Sequence, residues 1–151
     1  MGSNKATIIR LADKKGTSTA NSEYIFHFSS YPVHGNIGLY EGRFKNPVQN
    51  KNQHYHKVMT EIFTVLQGEF FFSTGEDEYI LQPNDTMIIP PLVVHGFRAK
   101  LPDSRLQFVF TDIPDREGFF TGLAKIVNGE MILDEEGSEA FYNSHDQYSV
   151  K

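Results

Sequence analysis

Two imidazoles and a carboxylate stand close together in His54-Tyr55-His56-Lys57-Val58-Met59-Thr60-Glu61, and a third imidazole, His95, follows Pro90-Pro91-Leu92-Val93-Val94. Imidazole nitrogen with carboxylate oxygen suits one divalent transition metal. The spacing constrains the chain. Side chains two apart share a face of a strand, so His54 and His56 point the same way. Glu61 has the opposite parity to His56, so it cannot join them on one uninterrupted strand. A turn or bulge must lie between Lys57 and Thr60, with Glu61 opening the next strand. Phe63 and Val65 share the parity of Glu61 and face the same interior. Gly68 lets the chain turn sharply, and His95 has to arrive from a separate strand.

The surrounding pattern is that of an all-β barrel or sandwich. Short apolar, aromatic or β-branched runs recur at 24–28, 37–44, 62–66, 69–73, 78–81, 87–89, 93–99 and 105–110, each bounded by turn residues. The patch Ile8-Ile9-Arg10-Leu11 reads as a short edge strand and 14–22 as a loop. His27 falls inside a strand and His34 in a loop, and neither is read as a ligand. After Asp112 the period changes. Pro114 and Asp115 suit a helix entry, and Phe119, Phe120, Leu123, Ile126 and Val127 recur at helical spacing. Asn128-Gly129 supplies the stop. A second helix is expected from about Asp134 to Gln147, anchored by Phe141 and Tyr148 and with a solvated His145.

The motif HxHx4Ex6G, followed by Pro90 and His95, resembles the cupin family. Leu92 stands where the family has glycine, Asn84 replaces the glycine of the usual Gly-Asp turn, and Ala99 stands where asparagine is common. Asn tolerates positive φ, so Asn84 can preserve its turn. The helical tail resembles that of single-domain cupins similar to quercetin dioxygenases. The resemblance covers roughly 35–148 and implies a double-stranded β-helix, or jelly-roll, barrel. It divides the chain into an N-terminal arm with an edge strand at 1–34, a barrel at 35–112 and a C-terminal helical tail at 113–151, all one structural domain. It implies that His54, His56, Glu61 and His95 bind one divalent metal, with Fe, Mn or Ni favoured over Zn, Co or Cu. Glu61 is the candidate catalytic residue.

Parity names Phe63, Val65, Phe70, Phe72, Met87, Ile89 and Phe97 as the lining of a substrate pocket. No Lys, Arg or Tyr is found among these inward positions, which speaks against sugar-phosphate substrates. Three functions fit. The first is a metal dioxygenase acting on a flavonol-, diketone- or catechol-like molecule. The second is a metal-dependent isomerase, epimerase or lyase of a small carbonyl or sugar compound. The third is a non-catalytic binding module.

Composition narrows the partners. The formal net charge of -5 and the scattered Lys and Arg speak against nucleic acid. There are no cysteines, so disulfides and thiolate metal sites are excluded and a cytoplasmic location is the simplest expectation. No apolar run is long enough to cross a bilayer, and no signal peptide is read. The expected partner is a small-molecule ligand. A partly apolar arm at 4–12 and an exposed sheet edge predict a homodimer.

Overall fold

The computed structural model describes residues 6–32, 36–112 and 115–150, with the side chains of 30–32 outside the description. Among the described residues, eleven strands form two antiparallel sheets. In chain order they are β1 (Lys15–Ser18), β2 (Ser22–Pro32), β3 (Asn36–Phe44), β4 (His54–Tyr55), β5 (Glu61–Gln67), β6 (Phe70–Thr74), β7 (Asp77–Leu81), β8 (Thr86–Ile89), β9 (His95–Ala99), β10 (Ser104–Thr111) and β11 (Tyr148–Ser149). One sheet runs β1-β2-β3-β10-β5-β8 and the other β11-β4-β9-β6-β7. The helices α1 (Arg116–Val127) and α2 (Glu135–Ser144) follow the last long strand. This is the jelly-roll barrel with a C-terminal helical tail that the family resemblance implied, and one of the two architectures, barrel or sandwich, that the strand pattern left open. No helix among the described residues is long and apolar enough to cross a membrane.

Alternation fixes which face of each strand is inside. Along β10 every second residue is buried, from Ser104 through Leu106 and Phe108 to Phe110. Along β5 the buried set is Glu61, Phe63 and Val65, the parity read from the sequence. The core is aromatic: Phe63 packs on Phe72, Phe97 and Phe108, and Phe108 stacks on Phe110. Each fully buried Phe contributes about 1.5–3 kcal/mol by leaving water. After β5, Gly68 turns the chain at φ 78°, where an added Cβ would collide with Ser104.

The helices close one side of the barrel. Asp115 caps α1 by accepting the Gly118 N–H at 2.8 Å, and Asp134 caps α2 by accepting that of Gly137 at 2.7 Å. Such caps are worth about 1 kcal/mol each. Gly129, at φ 74°, ends α1 after Asn128. Phe119 and Phe120 are buried, and Phe120 stacks on Tyr24 of β2 at 4.7 Å between ring centres. Pro114 and His34 lie outside the described residues.

The N-terminal region differs from expectation. Ile8 to Arg10 is not a strand, and Leu11–Asp13 is a single 3-10 turn in which Leu11 is exposed. The edge strand is β1, inside the segment read as a loop. Its Lys15, Gly16, Thr17 and Ser18 pair with Phe26, Ile25, Tyr24 and Glu23 of β2. Backbone pairing to a long neighbouring strand decided this, against weak side-chain propensity. Residues 135–144 form the second helix, shorter than the expected span, because Tyr148 pairs with Tyr55 as a strand residue.

Leu92 keeps the turn that a glycine would make. It sits at φ 70°, and its N–H donates to the His56 carbonyl at 2.7 Å, tying the loop before His95 to the histidine pair. Asn84 holds the corresponding left-handed position, φ 75°, before Asp85. A left-handed non-glycine residue costs about 1–2 kcal/mol, and the Leu92 side chain is 68% exposed, so it recovers little by burial. Leu92→Gly relieves that strain while adding about 0.5–1 kcal/mol of unfolded-state entropy cost. The expected outcome in urea unfolding is a net gain of roughly 0.5 kcal/mol or more; a loss of stability would show that Leu92 is held by more than its backbone.

Candidate metal centre

The two sheets bring the sequence motif to one point. His54 on β4 is the direct register partner of His95 on β9, so the two imidazoles stand side by side on one face. His56 follows β4 immediately. Glu61 opens β5 in the opposite sheet, and the chain between them makes the required turn, with bends at Lys57 and Val58. One ligand atom from each of His54, His56, Glu61 and His95 can be chosen so that all lie within 4.8 Å of one another. His56, Glu61 and His95 are almost completely buried and His54 is half-buried.

Each imidazole is oriented by a backbone carbonyl. His54 Nδ1 lies 2.7 Å from the Asn52 oxygen, His56 Nδ1 2.7 Å from that of Asp146, and His95 Nδ1 2.9 Å from that of Val93. A carbonyl only accepts, so Nδ1 carries the proton in all three rings. In the neutral ring this leaves Nε2 as a bare lone pair, the arrangement that metal-bound histidines show.

Those lone pairs converge on the Glu61 carboxylate. Glu61 Oε2 is 3.0 Å from His56 Nε2 and 2.9 Å from His95 Nε2. Bare nitrogens facing an anion need a cation among them, either a metal ion or protons on the rings. Burial is the largest influence on Glu61 and would raise its pKa, but hydrogen bonds from His56 and His95 overcome it and hold the carboxyl well below its usual range. Burial likewise acts to lower His95, and the Glu61 carboxylate overcomes it and raises that pKa. Burial, with His95 nearby, drops His54 to about 3, so its Nε2 is free of a proton at neutral pH. The donor set fits a metal: with metal–nitrogen distances of about 2.1 Å, adjacent ligands at right angles lie roughly 3.0 Å apart, as the Glu61–His56 and Glu61–His95 pairs do.

The turn that carries His56 to Glu61 is held by a residue that the motif did not reveal. Asp146, after α2, has a buried carboxylate that accepts the N–H groups of Lys57 at 2.9 Å, Val58 at 3.0 Å and Met59 at 2.9 Å. Its own carbonyl is the partner of His56 Nδ1. The Asp146 backbone is left-handed, φ 57°, which lets side chain and carbonyl serve the same loop. Nothing in the spacing around Asp146 pointed to it, because the contact spans about ninety residues.

A cavity of about 320 Å³ adjoins the cluster, with His54, Glu61, Phe97, Phe108, Phe119 and Arg116 among its lining residues. It lies between the barrel and α1. Of the seven residues named from parity, Phe97 lines this cavity. Phe63, Val65, Phe70, Phe72 and Ile89 are packed in the core, with Met87 packed against it. The inward parity held, but rings packed on rings fill that part of the barrel. The expectation of no inward cation is corrected. Arg116 is 3% exposed in the cavity wall, and Tyr24 and Tyr40 are also buried. Arg116 comes from a helix outside the strand-parity reading, although it lies three and four residues before Phe119 and Phe120 on the same helical face. His27 lies away from the cluster, between Lys14 and Glu41. His145 is half-buried against Phe119 and Phe141 rather than solvated.

Asp146→Ala should therefore weaken metal binding by about 10–100-fold, as the loss of an orienting partner does elsewhere, and Asp146→Asn by less, since one acceptor oxygen remains. Chelator competition reads both. His56→Ala, prepared in parallel, should lose most of the metal by elemental analysis.

Comparison with known proteins agrees with this geometry. Residues 46–111 match the family model described as Cupin domain. No curated protein matches the chain. Among solved structures, KdgF from Halomonas sp. superposes with a TM-score of 0.63 at 18% identity, over 76% of this chain and 99% of that one. Hydroxypropylphosphonic acid epoxidase from S. wedmorenis gives a TM-score of 0.61 at 15% identity, over 72% of this chain and 60% of that one. An RmlC-like cupin from Shewanella frigidimarina gives 0.55 at 18% identity, over 76% and 96%. The chain thus has the cupin barrel fold, with the cupin-domain match spanning 46–111 and the histidine–glutamate cluster inside it.

Proposed function

We propose that this chain is a mononuclear metal oxidoreductase that uses dioxygen to oxidise or cleave a planar enol, diketone or catechol-like molecule. The carrying observation is that two of the four clustered donors, His54 and Glu61, also line the aromatic cavity. A guest between Phe97, Phe108 and Phe119 would meet flat apolar walls that favour stacking and would reach the cluster directly. A divalent metal on His54, His56, Glu61 and His95 would supply Lewis acidity and, with iron, manganese or nickel, redox capacity. The epoxidase from S. wedmorenis supports oxidation chemistry on such a barrel by its name, though at 15% identity the shared feature is the fold.

Glu61 has the central role among the chain's own groups. Held ionised by His56 and His95, it balances cationic charge at the cluster. It also faces the cavity, where its carboxylate can accept the hydroxyl proton of an enol or catechol. Because its pKa is depressed while both imidazoles hold it, it gains basicity when either contact loosens.

The test begins with elemental analysis of protein purified without chelator, followed by oxygen uptake with a panel of flavonols, diketones and catechols. Uptake is expected with at least one. Glu61→Gln should keep most of the metal and lose about 100-fold or more in turnover, the size of a general-base contribution. Anaerobic conversion of a keto-sugar would instead assign the site to isomerase or lyase chemistry. Ligand binding without turnover would make it a binding module.

A further inference from the structure

Arg116 is a buried cation without an ion partner. It is 3% exposed, and among the described residues it takes part in no salt bridge. Its guanidinium lies 3.7 Å from the centre of the Phe119 ring and 4.8 Å from that of Phe110. One terminal nitrogen donates to the His145 carbonyl at 3.2 Å and the other to Gln147 Oε1 at 2.9 Å. Its Nε has no hydrogen-bond partner at all.

A guanidinium has five N–H donors in a planar fork. Two are used by the tail, both on neutral oxygens. The Nε–H and one N–H on each terminal nitrogen remain, and an Nε–H with its neighbouring terminal N–H is the pair that binds a carboxylate side-on. A buried charge that lacks a counter-ion is costly. Aromatic faces offset part of that cost. Burial lowers the Arg116 pKa to about 10, with Glu61 the first of the groups opposing the fall, so it stays cationic at neutral pH. Arg116 lines the same cavity as His54 and Glu61. The cavity therefore has His54 and Glu61 of the donor cluster, the buried Arg116 and aromatic rings among its walls, with Lys51 and Arg98 as further cations in the lining.

From this arrangement we infer that the small molecule taken up by this cavity carries a carboxylate, which docks on the free Nε edge of Arg116 while the rest of the guest faces His54 and Glu61. The inference deepens the proposed function and rests on its reading of the cavity as the substrate site. A carboxylate fits better than a phosphate because neutral oxygens already hold one N–H on each terminal nitrogen, and Phe97, Phe108, Phe119 and Phe120 supply apolar wall beside it. Arg116 also ties α1 to the segment bearing Asp146, so the test must separate charge recognition from support of the fold.

Salicylate, benzoate and pyruvate, each paired with its neutral amide, are titrated calorimetrically into wild type, Arg116→Gln and Arg116→Lys, with and without added metal. Wild type should prefer the carboxylate of at least one pair by about tenfold or more, the size of a charge-assisted hydrogen bond. Arg116→Gln should abolish that preference by weakening the carboxylate and leaving the amide unchanged. Arg116→Lys, which keeps the charge and loses the fork, should retain part of it. The inference is overturned if no pair shows the preference, if the preference survives in Arg116→Gln, or if carboxylate and amide weaken together, which is the mark of a structural role. Tighter binding of inorganic phosphate than of every carboxylate also overturns it. If Arg116→Gln fails to fold, an undiminished preference in Arg116→Lys overturns the inference and a severalfold loss supports it. The metal-free titrations read Arg116 independently of the cluster, so absence of metal or of oxygen uptake would sink the oxidoreductase reading and leave this result standing.

Discussion

The structure depends on three imidazole N–H groups being given to backbone carbonyls. Once Asn52, Asp146 and Val93 hold the Nδ1 protons, the Nε2 lone pairs have nowhere to point but toward one another and Glu61. That convergence of bare donors and an anion calls for a cation, a metal ion or ring protons, and gives the cluster the donor set of a metal site. It also explains the depth of the site. Buried imidazoles whose Nδ1–H is fixed on a carbonyl present Nε2 as a ligand atom for a metal ion.

One of those carbonyls belongs to Asp146, about ninety residues from His56, and this makes the C-terminal tail part of the centre. The same aspartate neutralises three backbone N–H groups at the turn between the histidines and Glu61. Lys57 and Val58 are exposed, but Met59 is buried, and its N–H left unpaired would cost about 1–3 kcal/mol. The tail thereby fixes the angle at which β4 hands over to β5, and so the approach of Glu61 to His56. Arg116 reinforces the arrangement by binding the residues on either side of Asp146, the His145 carbonyl and the Gln147 side chain.

The helical tail also shapes the cavity. Phe119 and Phe120 cover the side of the barrel, while Phe63, Phe70 and Phe72 are consumed by core packing. The free volume lies between the barrel and α1, lined by residues of both sheets, and Arg116 of the helix joins Lys51, Arg98 and Glu61 in setting its charge.

Strand alternation and the cupin-like motif carried the barrel and the cluster of His54, His56, Glu61 and His95. Strand alternation has a period of two, so the inward parity of Glu61, Phe63 and Val65 follows from position alone, and the parity break after His56 forces the turn. Asn84 and Gly68 marked turns by their tolerance of positive φ, and Asp115 and Gly129 marked the ends of α1. Local rules reach this far because each concerns a few neighbouring residues. Only the tertiary structure decided the rest. Asp146 and Arg116 act through contacts across long stretches of chain, which no local pattern encodes. The loop-like 15–18 became an edge strand because β2 offered it a backbone partner. Inward-facing phenylalanines became core instead of cavity wall because packing density, a property of all the strands together, settles which inward positions are filled and which are left open.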